Sequence, residues 1–176
     1  RNYILTNDVK TENLDREIGE VSQNREFTNI QALADSGILV TGITGFIGQH
    51  LCRALSRTKQ QVIGTARKHP QNITEAENLA IAELDLGNPE YARLRTLVDK
   101  SKVIYHLAAL GNQALTLEYP VDAYLSNALT TGILAGLSSR LSKKFIFAST
   151  FVVYDFSGLK KRAVVTEDME LPSAKY

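Results

Sequence analysis

Cysteine is nearly absent from this chain of 176 residues: the single Cys52 excludes an internal disulfide, and no Cys or His stands near it at metal-ligand spacing. It reads as a small core residue on a helix. An excess of one charge is missing as well. Lys plus Arg number 20 against 19 for Asp plus Glu, and the basic residues are scattered apart from Lys143-Lys144 and Lys160-Lys161-Arg162, which excludes nucleic acid as a main partner. No uninterrupted apolar run is long enough to span a bilayer, and the N-terminus is too polar for a signal peptide. The expectation is therefore no membrane partner, no metal and a cytoplasmic location. Repeats and low-complexity tracts are also lacking. With 44% apolar and 22% charged residues, the composition fits one globular domain able to bury a real core. The chain opens on Arg1 rather than Met and stops at Tyr176 where a further helix is about to begin, so it reads as part of a longer protein.

Residues 1–36 are polar, with a weak helical spacing in Ile4, Leu5, Val9, Leu14, Ile18 and Val21 and Thr6 or Asn7 as N-cap, and are expected to form an N-terminal helical arm. From Gly37 onward short apolar runs alternate with longer amphipathic stretches, the pattern of a parallel sheet with crossover helices. Strands are expected at Ile38 to Thr41, Gln61 to Thr65, Leu79 to Leu84, Val103 to Leu107 and Phe145 to Ser149. Helices are expected at Gly45 to Arg57, Pro89 to Lys100 and Pro120 to Leu141, the last opened by a first-turn proline. This predicts a doubly wound α/β domain of Rossmann type over residues 37–176, with its ligand crevice outside the C-terminal strand ends.

The segment from Ile38 to Gly48 runs from a buried strand through Gly42, Gly45 and Gly48 into a helix. Gly42 permits a tight turn, Gly45 lets the backbone approach a pyrophosphate, and Gly48 lets the helix pack close to the strand. The helix N-terminus then offers free N–H groups and a positive dipole end to the diphosphate. Three glycines in a loop can be no more than a turn, but the strand before and the helix after supply the context that a dinucleotide site requires. At the end of the second strand Ala66 stands where an NAD-preferring domain places an acid, and Arg67, with Lys68 beside it, can bind a 2′-phosphate. This favours NADP over NAD, the alternative being that Arg67 is a solvated loop residue.

The spacing G-x-x-G-x-x-G, in the form T-G-x-x-G-F-I-G, resembles the extended short-chain dehydrogenase/reductase family that acts on nucleotide sugars. The resemblance covers residues 37–176 and assigns Gly42, Thr44, Gly45, Phe46, Ile47 and Gly48 to the cofactor. Asp85-Leu86 resembles the family's D-[LV] element, in which Asp85 accepts a bond from the adenine amino group; an Asp ending a strand can equally be a turn former. His106-Leu107-Ala108-Ala109 resembles H-[LV]-A-A, where Leu107, Ala108 and Ala109 let the cofactor lie against the backbone and His106 packs. Pro120, Asn127 and Thr130-Thr131 match P-x(6)-N-x-x-[GT]-T, which implies that Asn127 supports the active-site backbone; the alternative is an ordinary polar helix residue.

For the chemistry, a phenol serves as base at neutral pH only when a nearby cation lowers its pKa. The family supplies Y-x-x-x-K with a Ser or Thr that orients the substrate hydroxyl. The run Phe145 to Tyr154 resembles F-x-x-x-S-[ST]-x-x-V-Y-G and implies Thr150 as the catalytic hydroxyl, while Glu167 to Tyr176 resembles the approach to the catalytic tyrosine and implies Tyr176 as base. The lysine would lie four residues beyond Tyr176, and Lys175 is on the wrong side of a helix to replace it, so the fragment alone is expected to catalyse poorly. Phe151 and Val152 stand where relatives that eliminate water or carbon dioxide carry acids, which points to an epimerase or reductase; Asp155 in place of the usual glycine has no explanation. The resemblance also implies a homodimer built partly on the helix from Pro120, with the substrate pocket mainly outside this chain. A non-catalytic dinucleotide-binding sensor or scaffold on the same fold is the rival reading.

Overall fold

A computed structural model of the chain describes residues 37–68, 70, 77–150, 153–154, 164 and 166. The arm expected at residues 1–36 and Tyr176, the expected base, lie outside the described residues. The chain divides into two compact units between Ile146 and Phe147, and each is treated by itself.

In the first unit the strands are β1 (Gly37–Thr41), β2 (Val62–Ala66), β3 (Leu79–Glu83), β4 (Ser101–His106) and β5 (Lys144–Phe147, its last residue beyond the division). The helices are α1 (Phe46–Leu55), α2 (Tyr91–Asp99), α3 (Gln113–Glu118), α4 (Pro120–Ala123) and α5 (Thr130–Arg140), with a π-helical stretch at Tyr124–Leu129 joining the last two. The strand order is β3-β2-β1-β4-β5, and β1 pairs in parallel with both β2 and β4. Chain order therefore reverses direction across the sheet between β1 and β4, the position at which open α/β sheets bind ligands.

The central strands β1 and β2 are buried along nearly their whole length, as strands covered by helices on both faces are, while β3 and β5 at the sheet edges are only partly covered. Alternation along β1 divides the core. Leu39 packs with Ile63 and Ile104 against Leu94, Leu97 and Val98 of α2 and Leu134 and Leu137 of α5. Val40 packs with Val62 and Ile43 against Cys52 of α1. Cys52 is thus a core residue, and burial pushes its thiol up to about 11, where it is chemically quiet.

Several boundaries differ from the sequence expectation by one or two residues. Strand β4 begins at Ser101 rather than Val103 because the Ser101 hydroxyl donates to Leu97 O at 2.7 Å, which allows a polar residue to be fully buried. Strand β2 ends one residue later, at Ala66, because Ala66 O accepts from Leu84 N at 2.8 Å. Two features were not expected: α3, and the π-helical stretch that interrupts the helix expected from Pro120 to Leu141.

Candidate dinucleotide site

The loops that leave β1, β2, β3 and β4 at their C-terminal ends enclose a cleft of about 1080 Å³. From the first loop come Gly42, Thr44 and Gly45; from the second Arg67 and Lys68; from the third Asp85 and Leu86; from the fourth Leu107, Ala108, Ala109 and Leu110. Chain beyond that, at Tyr119, Asp122 and Ser126, closes the far end.

The glycine loop is dictated by sterics. Gly42 has φ +71°, a region that L side chains rarely adopt, and a Cβ there would lie 2.8 Å from Ala108 N. A Cβ on Gly48 would overlap Gly42 O, so α1 can approach the strand end only without one. A Cβ on Gly45 would touch only Gly42 O, at 3.3 Å. No side chain caps α1 and no acidic residue sits in its first turn, which leaves that end to an anion. These features fit a diphosphate.

At the second loop Ala66 is buried, whereas Arg67 and Lys68 are exposed along the cleft. At the third, Asp85 Oδ1 accepts from Gly87 N at 2.9 Å, so the carboxylate both turns the chain and borders the cleft. Thr130, which sequence reasoning passed over as part of a motif, is fully buried and donates to Leu86 O at 2.6 Å, tying α5 to this loop.

The fourth loop is held from beneath. Leu107 N and Ala108 N donate to Thr41 Oγ1 at 3.2 and 3.1 Å. Asn127 grips Leu110 by both backbone groups, accepting from its N–H at 2.7 Å and donating to its carbonyl at 3.1 Å. Asn127 therefore supports the cleft backbone without lining the cleft. His106 is fully buried between Thr41 and Thr131, its ring centroid 6.0 Å from that of Phe145, and burial pushes the imidazole down to about 4.

Of the residues expected at the cofactor, Gly42, Thr44, Gly45, Arg67, Asp85, Leu86, Leu107, Ala108 and Ala109 are brought together in this one cleft. Gly48 lies beneath it, and Phe46 and Ile47 are exposed at the start of α1 without lining it. Thr150 belongs to the second unit, where it is exposed and its carbonyl accepts from Val153 N at 3.3 Å. Sequence reading missed α3, a six-residue helix too short to show an apolar period, whose N-cap Asn112 accepts from Ala114 N and Leu115 N. Tyr119, Asp122 and Ser126 were missed at the cleft because no motif marks them. Among the described residues no helix is long and apolar enough to cross a membrane, and no cluster of His, Cys, Asp or Glu could hold a metal ion.

A five-stranded Rossmann-like sheet with a glycine-lined cleft at the reversal of strand order places this chain among dinucleotide-binding α/β proteins. Residues 38–175 match the NAD dependent epimerase/dehydratase family, and the chain belongs to that family. It is 27% identical over 144 residues to UDP-glucose 4-epimerase of Bacillus subtilis, a match covering 76% of this chain and 41% of that protein. It is 28% identical over 144 residues to UDP-glucuronic acid decarboxylase 1 of Danio rerio, covering 77% of this chain and 33% of that protein. The solved structure of MoeE5 in complex with UDP-glucose and NAD is similar with a TM-score of 0.63 at 25% identity, covering 78% of this chain and 42% of that one. The chain spans between 33% and 45% of the length of the curated relatives it matches.

Proposed function

We propose that this chain is the cofactor-binding part of a nicotinamide-dependent epimerase or reductase that acts on a nucleotide sugar. The observation that carries the reading is the cleft itself, in which the Gly42 and Gly45 loop, Arg67 and the segment after β4 converge. The uncapped start of α1 would hold the diphosphate, Asp85 the adenine, and Ala108 and Ala109 would let the dinucleotide lie along the backbone. Arg67 and Lys68, in place of an acid at the end of β2, favour NADP over NAD. The bound cofactor would supply reversible removal of hydride from a sugar carbinol. Tyr176 would take the hydroxyl proton and Thr150 would orient that hydroxyl, with a lysine four residues past Tyr176 lowering the phenol's pKa.

Phe151 and Val152 support an epimerase or reductase over a decarboxylase, since neither can act as general acid or base. That distinction matters because the relatives include both UDP-sugar epimerases and UDP-glucuronic acid decarboxylases. We place the protein in the cytoplasm as a homodimer. The exposed apolar side chains of Leu117, Val121 and Tyr124 around α3 and α4 support that pairing.

Titration with NADPH and NADH, followed by nicotinamide fluorescence, tests the reading. Tighter binding of NADPH, lost by about tenfold or more in Arg67→Asp, is the expected result for a charge-assisted phosphate contact. Failure to bind either dinucleotide overturns the proposal. Binding by a longer chain that carries the lysine, without turnover of any UDP-sugar, would favour a sensor instead.

A further inference from the structure

We infer that His106 is a positioning residue for the cleft: a closed hydrogen-bond circuit through its ring, in one neutral tautomer, holds the cleft-lining residues 107–110 at both ends. The inference rests on the cofactor reading above for its consequence, but the circuit follows from the placement of protons alone.

At one end of the segment, Thr41 Oγ1 accepts from Leu107 N and Ala108 N. A hydroxyl oxygen that accepts two N–H groups has no lone pair left, so its own proton must go outward. The acceptor within reach is His106 Nδ1, 2.7 Å away. Across the ring, Nε2 lies 2.9 Å from Thr131 Oγ1, and the Thr131 hydroxyl donates its single proton to Asn127 O at 2.6 Å. Thr131 therefore accepts from His106, and the ring carries its proton on Nε2. Asn127 closes the circuit at the other end by gripping the N–H and carbonyl of Leu110.

Along this relay the Thr41 proton goes to Nδ1, the ring proton to Thr131 and the Thr131 proton to Asn127 O. A change of tautomer or a charged ring therefore sets two protons against each other at Thr41 or leaves Thr131 without its donor. Burial keeps it neutral in the same sense. Thr41, His106, Thr131 and Asn127 do not line the cleft, so the circuit acts through the backbone of residues 107–110 and not by touching a ligand.

The test combines three readouts on the same chain. Imidazole ¹⁵N spectroscopy of the unsubstituted protein between about pH 6 and 8 should show His106 as the neutral Nε2–H form. An Nδ1–H form overturns the circuit, and this measurement needs no variant to fold. Thr131→Val, which is isosteric but lacks the hydroxyl, should accelerate amide exchange at Leu107, Ala108 and Leu110 about tenfold and weaken dinucleotide binding about fivefold. Thr131→Ser should restore both. If Thr131→Val lowers the melting temperature while exchange and affinity stay unchanged, Thr131 only packs and the inference fails. If the unsubstituted protein binds neither NADPH nor NADH, the cofactor reading falls, while the tautomer and the exchange rates still decide the circuit.

Discussion

Gly42 lies so close to Ala108 that a Cβ on Gly42 would sit 2.8 Å from both the nitrogen and the α-carbon of that residue. The turn after β1 and the segment after β4 are thus fitted backbone to backbone, and the cleft floor has no slack to absorb a methyl group. Backbone atoms cannot rotate aside as a side chain would. Gly42→Ala should therefore destabilise the fold by about 2 kcal/mol or more, from the left-handed φ together with the overlap. Gly48→Ala should do the same by pushing α1 off the strand end. Gly45→Ala, at an exposed residue with φ −75°, should remain within about 1 kcal/mol of the unsubstituted protein yet lose dinucleotide affinity. Urea denaturation together with fluorescence titration separates the two classes. If Gly45→Ala bound normally, the glycine loop would be a turn and no more.

Steric demand of this kind is what made the loop legible in the sequence. A glycine whose Cβ would strike backbone leaves a mark that survives in the residue string, and so does the alternation of Leu39 and Val40 between the two core faces. What the string concealed were arrangements defined by partners distant along the chain. Thr41 and His106 meet across 65 residues, and Thr130 reaches Leu86 across 44. The π-helical stretch at Tyr124–Leu129 fits one more residue into a turn without altering the composition on either side. The Gln61 boundary was missed for a related reason: its carbonyl bonds Ile38 N at 2.7 Å while the residue itself stands outside β2.

Thr130 offers a direct measure of one such concealed contact. Its hydroxyl is fully buried and donates to Leu86 O at 2.6 Å, with Leu125 O a further 3.0 Å neighbour. Thr130→Val keeps the shape and removes the donor, leaving the Leu86 carbonyl unmatched beside the cleft. A loss of about 1 to 3 kcal/mol is expected, with Thr130→Ser recovering most of it. Chemical denaturation of the pair provides the check, and equal stability of the Val variant would mean that the Leu86 carbonyl is satisfied elsewhere.

His106 should give the fold a specific sensitivity to acid. Above its ordinary value of 6.5 the imidazole is neutral whether the chain is folded or unfolded, so it adds nothing to the pH dependence there. As the pH falls through 6.5 the unfolded chain takes up a proton that the buried ring refuses until about 4, so stability is lost across that window. The loss from this one group should reach about 2 kcal/mol at pH 5 and about 3 kcal/mol at pH 4. Asparagine can accept from Thr41 without titrating. The difference in unfolding free energy between the unsubstituted protein and His106→Asn should therefore shrink steadily from pH 7 to pH 5. A difference that stays constant would mean that His106 titrates normally in the folded state.

Asp85 allows the adenine assignment to be tested by inversion. One carboxylate oxygen is engaged by Gly87 N at 2.9 Å, and the residue borders the cleft, so the other oxygen is the one proposed to accept from the adenine amino group. In Asp85→Asn the turn survives if the amide oxygen keeps Gly87, and the amide NH₂ then points where the carboxylate oxygen was. Two donors would face each other, and affinity for NADH should fall about five- to tenfold, the worth of one hydrogen bond and its mismatch. The hypoxanthine analogue of NADH carries a carbonyl in place of that amino group. The unsubstituted protein should discriminate against it, because carboxylate and carbonyl are both acceptors, whereas Asp85→Asn should bind it at least as well as NADH. Fluorescence titration of both dinucleotides into both proteins gives four affinities and one coupling. A crossed preference ties Asp85 to the adenine edge, while parallel losses for the two dinucleotides would reduce the residue to its turn with Gly87.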